Sequence, residues 1–141
     1  MFERLRFARY ALRFERAFKT DQWDEVKACF HSEARYIVRG SGTSYDGEVA
    51  YPDAIVAFFK RMLDDLDRKF DSRKPGFRGL PRVRGGELLV PWKARYSIGD
   101  RSVVLTGDSR CRFEDGKIIE LSDTMIEAEA KAWGALIGVT S

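Results

Sequence analysis

The feature that most constrains this chain is a change of hydrophobic period at Phe70. Before it, apolar residues recur every three or four positions, and after it they alternate. A chain patterned this way must build helices first and strands second. Residues 3–18 carry Phe7, Tyr10, Ala11, Phe14, Ala17 and Phe18 on one helical face. Thr20 or Asp21 can cap a short second helix with Trp23, Val26 and Phe30 as its stripe. Ser32 to Ala34 ends that helix, residues 34–39 alternate as a strand, and Gly40-Ser41-Gly42 turns it toward a return over Thr43 to Asp46. Pro52 suits the first turn of a third helix, whose stripe runs Ile55, Phe58, Phe59, Met62, Leu66 and Phe70.

Beyond Phe70, residues 77–83, 87–98, 102–114 and 117–123 read as strands. Gly85-Gly86, Gly99-Asp100 and Asp115-Gly116 separate them and supply the positive φ of tight hairpins. Such short connections predict antiparallel neighbours, and the single apolar stripe of each helix must be buried against one sheet face. The pattern therefore predicts an α+β fold, a curved antiparallel sheet around N-terminal helices. Thr124 and Glu127 have capping-box spacing and open an added C-terminal helix over about 125–138, with Ile126, Ala130, Trp133 and Ile137 on one side. No repeat or linker divides the chain, so one domain is expected over 1–141 with its core at about 3–125.

Composition narrows the function classes. The 141 residues include ten Phe, five Tyr and three Trp, enough for a packed core. Two cysteines and one histidine exclude a Cys-rich zinc site and any mechanism needing two histidines in one chain, so no metal and no cofactor is expected. The net charge of +3 conceals an uneven spread, with ten basic and three acidic residues between 68 and 101. Those charges alternate with apolar residues at strand spacing, which predicts a solvated sheet face and no nucleic-acid partner. No apolar run reaches membrane-spanning length and the arginine-rich start lacks a signal-peptide core, so a cytoplasmic location without membrane contact is expected.

Several segments together resemble the SnoaL-like branch of the nuclear transport factor 2-like superfamily. They are Phe14-Glu-Arg-Ala-Phe-Lys-Thr-Asp-Gln-Trp23, Phe30 leading to Glu33-Ala-Arg-Tyr36, and Ala54-Ile-Val-Ala-Phe-Phe59. The sheet adds Val90 to Tyr96 and Phe113-Glu-Asp-Gly-Lys-Ile118, with Asp123 beyond. The resemblance implies a cone, a bent sheet wrapped around long helices with a pocket at its open end. It also implies a small-molecule site in many members and mere dimerisation or protein binding in others.

Strand parity says which residues would line such a pocket. If Trp92 points inward, so do Leu88, Val90, Ala94 and Tyr96. Leu105, Gly107, Ser109, Cys111 and Phe113 share the inner face, as do Ile119, Leu121 and Asp123, while Tyr36 and Val38 complete the wall. Phe14 and Phe59 reach it from the helices. Tyr36, Trp92, Tyr96, Ser109, Phe14, Val38 and Phe59 are therefore the expected ligand-binding residues, for a small, largely apolar molecule.

The enzymes that the resemblance brings to mind can be tested by residue. The positions of the steroid isomerases' tyrosine, aspartate base and protonated aspartic acid fall at Phe14, Val38 and Ser109, none of which does the same work. Dehydratases of the fold use paired histidines, and His31 stands alone, expected just past the second helix. Epoxide hydrolases of similar fold use an Arg-x-Asp pair and a later aspartate. The later one matches Asp123, whereas the inner positions around Val90 and Trp92 are apolar. Asp123 is thus the expected catalytic residue, an acid–base group for isomerisation, dehydration, ring closure or hydration. Its alternative role is structural, beside the cap of the last helix. The charged run from Asp67 to Arg73 reads as exposed ion pairs, and Cys29 and Cys111 as small buried hydrophobes. A non-catalytic module is the competing expectation, with Trp133 filling the pocket and a homodimer formed over Leu89, Val104 and Thr106.

Overall fold

A computed structural model describes residues 2–139. Helix α1 spans Glu3–Thr20 and buries Phe7, Tyr10 and Ala17. It stops where Asp21 takes a left-handed conformation and its amide closes on the Ala17 carbonyl at 2.7 Å. A single turn, α2 (Asp24–Lys27), follows. Phe30, expected to end this helix, instead opens strand β1 (Phe30–Arg39). The Ile118 amide donates to the Cys29 carbonyl at 2.9 Å, so sheet pairing captures the segment before a second helical turn forms.

The return strand β2 is Gly47–Ala50, later than the expected 43–46. The intervening loop is held by the Asp46 carboxylate, which accepts from the Ser41 amide and hydroxyl. Pro52 then starts α3 (Pro52–Asp65), which buries Ile55, Phe59 and Leu63. A 3₁₀ turn, Asp67–Lys69, continues the path to Phe70.

Strand β3 is Ser72–Phe77, β4 is Arg82–Arg84, β5 is Glu87–Ile98, β6 is Arg101–Glu114 and β7 is Lys117–Met125. The expected strand over 77–83 is thus two short strands, both paired with β5. The sheet runs β2-β1-β7-β6-β5-β3 and is curled without closing. Its one departure from antiparallel order is the β1–β7 pair, which is parallel because the whole helix and strand series intervenes between them. The ladder shifts register at Arg112/Phe113. Opposite that irregularity Ile118 is fully buried and Ile119 only half-buried, which corrects the expected inward position of Ile119.

Strand β7 also overrides the expected capping box. Thr124 pairs with Asp108 and Arg39 inside the ladder, and helix α4 (Glu127–Leu136) begins after Ile126 with no side-chain cap. Glu129 has a different task. Its carboxylate accepts from the Thr106 amide at 2.8 Å and from the Thr106 hydroxyl, sealing the ladder position that β7 leaves when it ends. Thr106, expected in a dimer contact, is engaged by this helix. Trp133 of α4 then packs against both Phe70 and Tyr96, with ring centroids 5.9 and 5.5 Å away.

Candidate functional site

The helices do not fill the curl of the sheet. A cavity of about 360 Å³ remains between α1, α3 and the inner faces of β5 and β6, with half-exposed Glu15 and exposed Leu12 and Phe77 at its mouth. Trp133 forms part of its wall without filling it.

Asp123 lies in this cavity. In β7 it pairs with Ser109 of β6 and, on the other side, with Val38 of β1, so it shares the inward face of both. Tyr36 donates its phenolic hydrogen to Asp123 Oδ2 at 2.6 Å, and Ser109 Oγ donates to Oδ1. No ion pair to Asp123 forms among the described residues. Burial therefore pushes its carboxyl above the ordinary range, and the two hydroxyl donors only partly draw it back. Burial and the nearby Asp123 likewise push the phenols of Tyr36 and Tyr10 well up, so both stay neutral.

Six of the seven expected ligand-binding residues line this cavity: Phe14, Tyr36, Phe59, Trp92, Tyr96 and Ser109. Tyr36 and Phe59 meet edge to face at 4.8 Å, and Phe14 meets Phe59 at 5.3 Å. Val38 is the exception. It is only 1% exposed and lies in the core beside Asp123, off the cavity wall. Trp92 lies over Gly107, its cross-strand partner, where a Cβ would come within 2.4 Å of the indole.

A second polar group in the same cavity escaped the sequence reading. Asp67, Arg73, Glu15 and Tyr96 all line it. Tyr96 donates to Asp67 Oδ2 at 2.6 Å, Arg73 Nε stands 3.5 Å from that same oxygen, and Arg73 Nη1 donates to Glu15 Oε1 at 2.6 Å. The side chains of Asp67 and Arg73 are 11% and 15% exposed, which overturns their expected place in surface pairs. Burial raises the Asp67 carboxyl, and the guanidinium beside it pulls the other way. For Arg73, burial opposes the charge, but Tyr96, Asp67 and Glu15 together hold it protonated.

Two signals could have found this group. Asp67 falls four residues after Leu63 and three before Phe70, on the apolar stripe of the third helix rather than off it. Arg73 is the register partner of Tyr96, and so shares its face, but only once β3 is placed at Ser72–Phe77.

The remaining titratable candidates are elsewhere. His31 is a residue of β1, not of a helix end. Its Nδ1 accepts from the Glu33 amide at 3.0 Å and its Nε2 faces Glu114 at 3.4 Å. Cys111 is fully buried, and burial pushes its thiol up. Cys29 is only partly buried, with Arg13 Nη1 3.4 Å from its sulfur, which corrects its expected place as a small buried hydrophobe. Among the described residues no group of His, Cys, Asp and Glu could hold a metal ion, and no helix is long and apolar enough to cross a membrane.

The fold is shared with solved proteins. An NTF2-like protein of unknown function from Burkholderia pseudomallei superposes with a TM-score of 0.70 at 18% identity, over 91% of this chain and 96% of that one. TerC, co-crystallised with polyporic acid, gives 0.67 at 13% identity over 92% and 96%. A candidate isomerase from Rhodopseudomonas palustris gives 0.71 at 11% identity over 95% and 97%. At these identities the likeness is one of fold. No curated protein matches the sequence. The profile of the SnoaL-like domain matches residues 11–121, the span from α1 to the middle of β7, and the chain belongs to that family.

Proposed function

We propose that the chain binds a small, largely apolar molecule in this cavity and that Asp123 exchanges a proton with it. The observation that carries the reading is a carboxyl on an apolar cavity wall, held by two hydroxyl donors and by no cation. A carboxyl with a raised pKa is suited to acid–base work near neutral pH, because its protonated form persists and its anion is a stronger base. Tyr36 and Ser109 orient the group and stabilise the anion when the proton leaves. Isomerisation, dehydration, ring closure and hydration are the reaction classes such a device serves, with a bound substrate protonated or deprotonated at a carbon or oxygen facing Asp123. Relatives of the fold point the same way, one co-crystallised with polyporic acid and one named as a candidate isomerase. A cytoplasmic location and a homodimeric state are part of the same proposal.

The test pairs binding with turnover. Wild type and Asp123→Asn are screened by thermal shift against steroid, terpenoid and aromatic polyketide compounds, and the binders are then followed for conversion by mass spectrometry. The amide keeps the shape of the site but not its proton exchange. The variant is expected to bind the same compounds and to convert them about 100- to 10,000-fold more slowly. Equal turnover in the two proteins would remove Asp123 from the chemistry.

A further inference from the structure

Resting on the binding reading above, we infer that Asp67, Arg73, Tyr96 and Trp133 form a second station in the cavity that recognises a neutral hydroxyl group, so that the ligand is an apolar molecule bearing a hydroxyl away from its Asp123 end. Three observations carry this.

The first is position. Ser109, a partner of Asp123, lies opposite Val90 on β5, and Tyr96 lies six residues further along that strand. The two polar groups therefore occupy different parts of one wall, with Ala94 and Leu105 between them. Both groups line the one cavity of about 360 Å³, so one small molecule can reach both.

The second is unused hydrogen-bonding capacity. Tyr96 and Arg73 both approach Asp67 Oδ2, the Asp67 amide is the one backbone donor to the carboxyl, and among the described residues no side chain donates to Oδ1. Trp133, 3% exposed and in ring contact with Tyr96, buries an indole N–H with no partner, alone in this among the described residues. A buried donor without an acceptor is costly, and a native fold seldom keeps one without a use. A hydroxyl is both donor and acceptor, so it can donate to Asp67 and accept from the Trp133 indole, which a ketone or an amine cation cannot do together.

The third is charge. One guanidinium faces two carboxyls, Asp67 and Glu15. With both ionised the group carries a net charge of −1, and with Asp67 protonated it carries none. In neither state does it attract an anion, so a carboxylate or phosphate is refused although an arginine is present.

The probes are para,para′-dihydroxybiphenyl, para-hydroxybiphenyl and para′-hydroxybiphenyl-para-carboxylate, titrated calorimetrically into the full chain. The wild type is expected to bind the diol about tenfold more tightly than the mono-ol and the carboxylate least of all. In Asp67→Asn the diol advantage should shrink to about two- to threefold and the carboxylate should improve about tenfold. Adding Glu15→Gln leaves Arg73 as a net cation, and the carboxylate should become the best of the three. Trp133→Phe keeps the ring and removes the donor, so the diol should weaken about fivefold while the mono-ol is unchanged. Improved anion binding is a gain that a purely structural ion pair would not give. If the double variant fails to fold, the single variants decide. Diol and mono-ol binding alike to wild type, or no carboxylate gain in folded Asp67→Asn, overturns the station and leaves the Asp123 reading intact. Failure of every probe to bind wild type overturns both.

Discussion

The cavity holds two buried carboxyls, each taking a hydrogen from a tyrosine, and the protein treats them differently. Asp123 is bonded by Tyr36 and Ser109 with no cation in contact. Asp67 is bonded by Tyr96, with Arg73 at 3.5 Å and Glu15 beyond it. Burial raises both, but only Asp67 has a positive charge to oppose that effect. The strands explain the difference. Asp123 stands in the ladder between β1 and β6, where its neighbours are core side chains, whereas Asp67 and Arg73 come from the turn and the edge strand that border the mouth. At one carboxyl burial is thus opposed by hydroxyl donors alone, and at the other by a cation as well.

The largest effect that would break this contrast is on stability. Arg73→Met should cost about 3–5 kcal/mol, because it strands the Asp67 and Glu15 carboxylates in a half-buried site. Asp123→Asn should cost at most about 1 kcal/mol, since it strands no charge and keeps an acceptor for Tyr36 and a polar group for Ser109. Urea denaturation at neutral pH measures both. Similar costs for the two would show that the sites are electrostatically alike, and the contrast would fail.

The same contrast marks what the sequence could reveal. The change of period at Phe70 predicted the run of strands that follows it, and the hairpin glycines placed β5, β6 and most of β7 with little error. Parity along those long strands put Tyr36, Trp92, Tyr96, Ser109 and Asp123 on one face, and the structure brings five such residues to one cavity. Parity failed at Ile119 because a ladder irregularity cannot be seen in a one-dimensional alternation. The spacing of Phe30 from Val26 fits a helical stripe, and only pairing with a distant strand decides otherwise. The Asp67 group was missed for a chemical reason. Charged residues at a helix end are usually solvated, so a carboxyl lying on the apolar stripe was read by type and not by position.

A middle-sized effect sharpens the contrast from the packing side. At Gly107 an added Cβ would meet the Trp92 ring at 2.4 Å and the Thr124 carbonyl oxygen at 2.6 Å, and the second of these is ladder backbone that cannot swing aside. Gly107→Ala should therefore cost about 1–3 kcal/mol and push Trp92 from its seat. The disturbance lies two residues from Ser109 along β6, so ligand contacts at the Asp123 end should suffer before those at Tyr96. A crystal structure of the variant, with Trp92 displaced and the Tyr96–Asp67–Arg73 contacts kept, is the expected result. Loss of the Arg73 contacts instead would mean that the two ends are mechanically one site.

The smallest effect is on titration, and its sign follows from linkage. The folded Asp123 carboxyl titrates above its unfolded counterpart, so its contribution is fully present below the unfolded pKa, near about 3.9, and is lost as pH rises through the folded value. Over that window the wild type should lose stability with rising pH, and Asp123→Asn should lose less. Asp67→Asn should flatten the curve less than Asp123→Asn does, because Arg73 opposes part of the rise at Asp67. Removing one donor tests the cause directly. The Tyr36 hydroxyl lowers the Asp123 pKa against burial, so Tyr36→Phe should move the carboxyl further up and extend the protonated form to higher pH. Carboxyl-carbon NMR titration reads both groups in one sample. An upward shift at Asp123 with Asp67 nearly unmoved is the expected pattern. A downward shift at Asp123 would mean that Tyr36 holds the protonated acid rather than its anion, and the anion-stabilising role proposed for Tyr36 would fall.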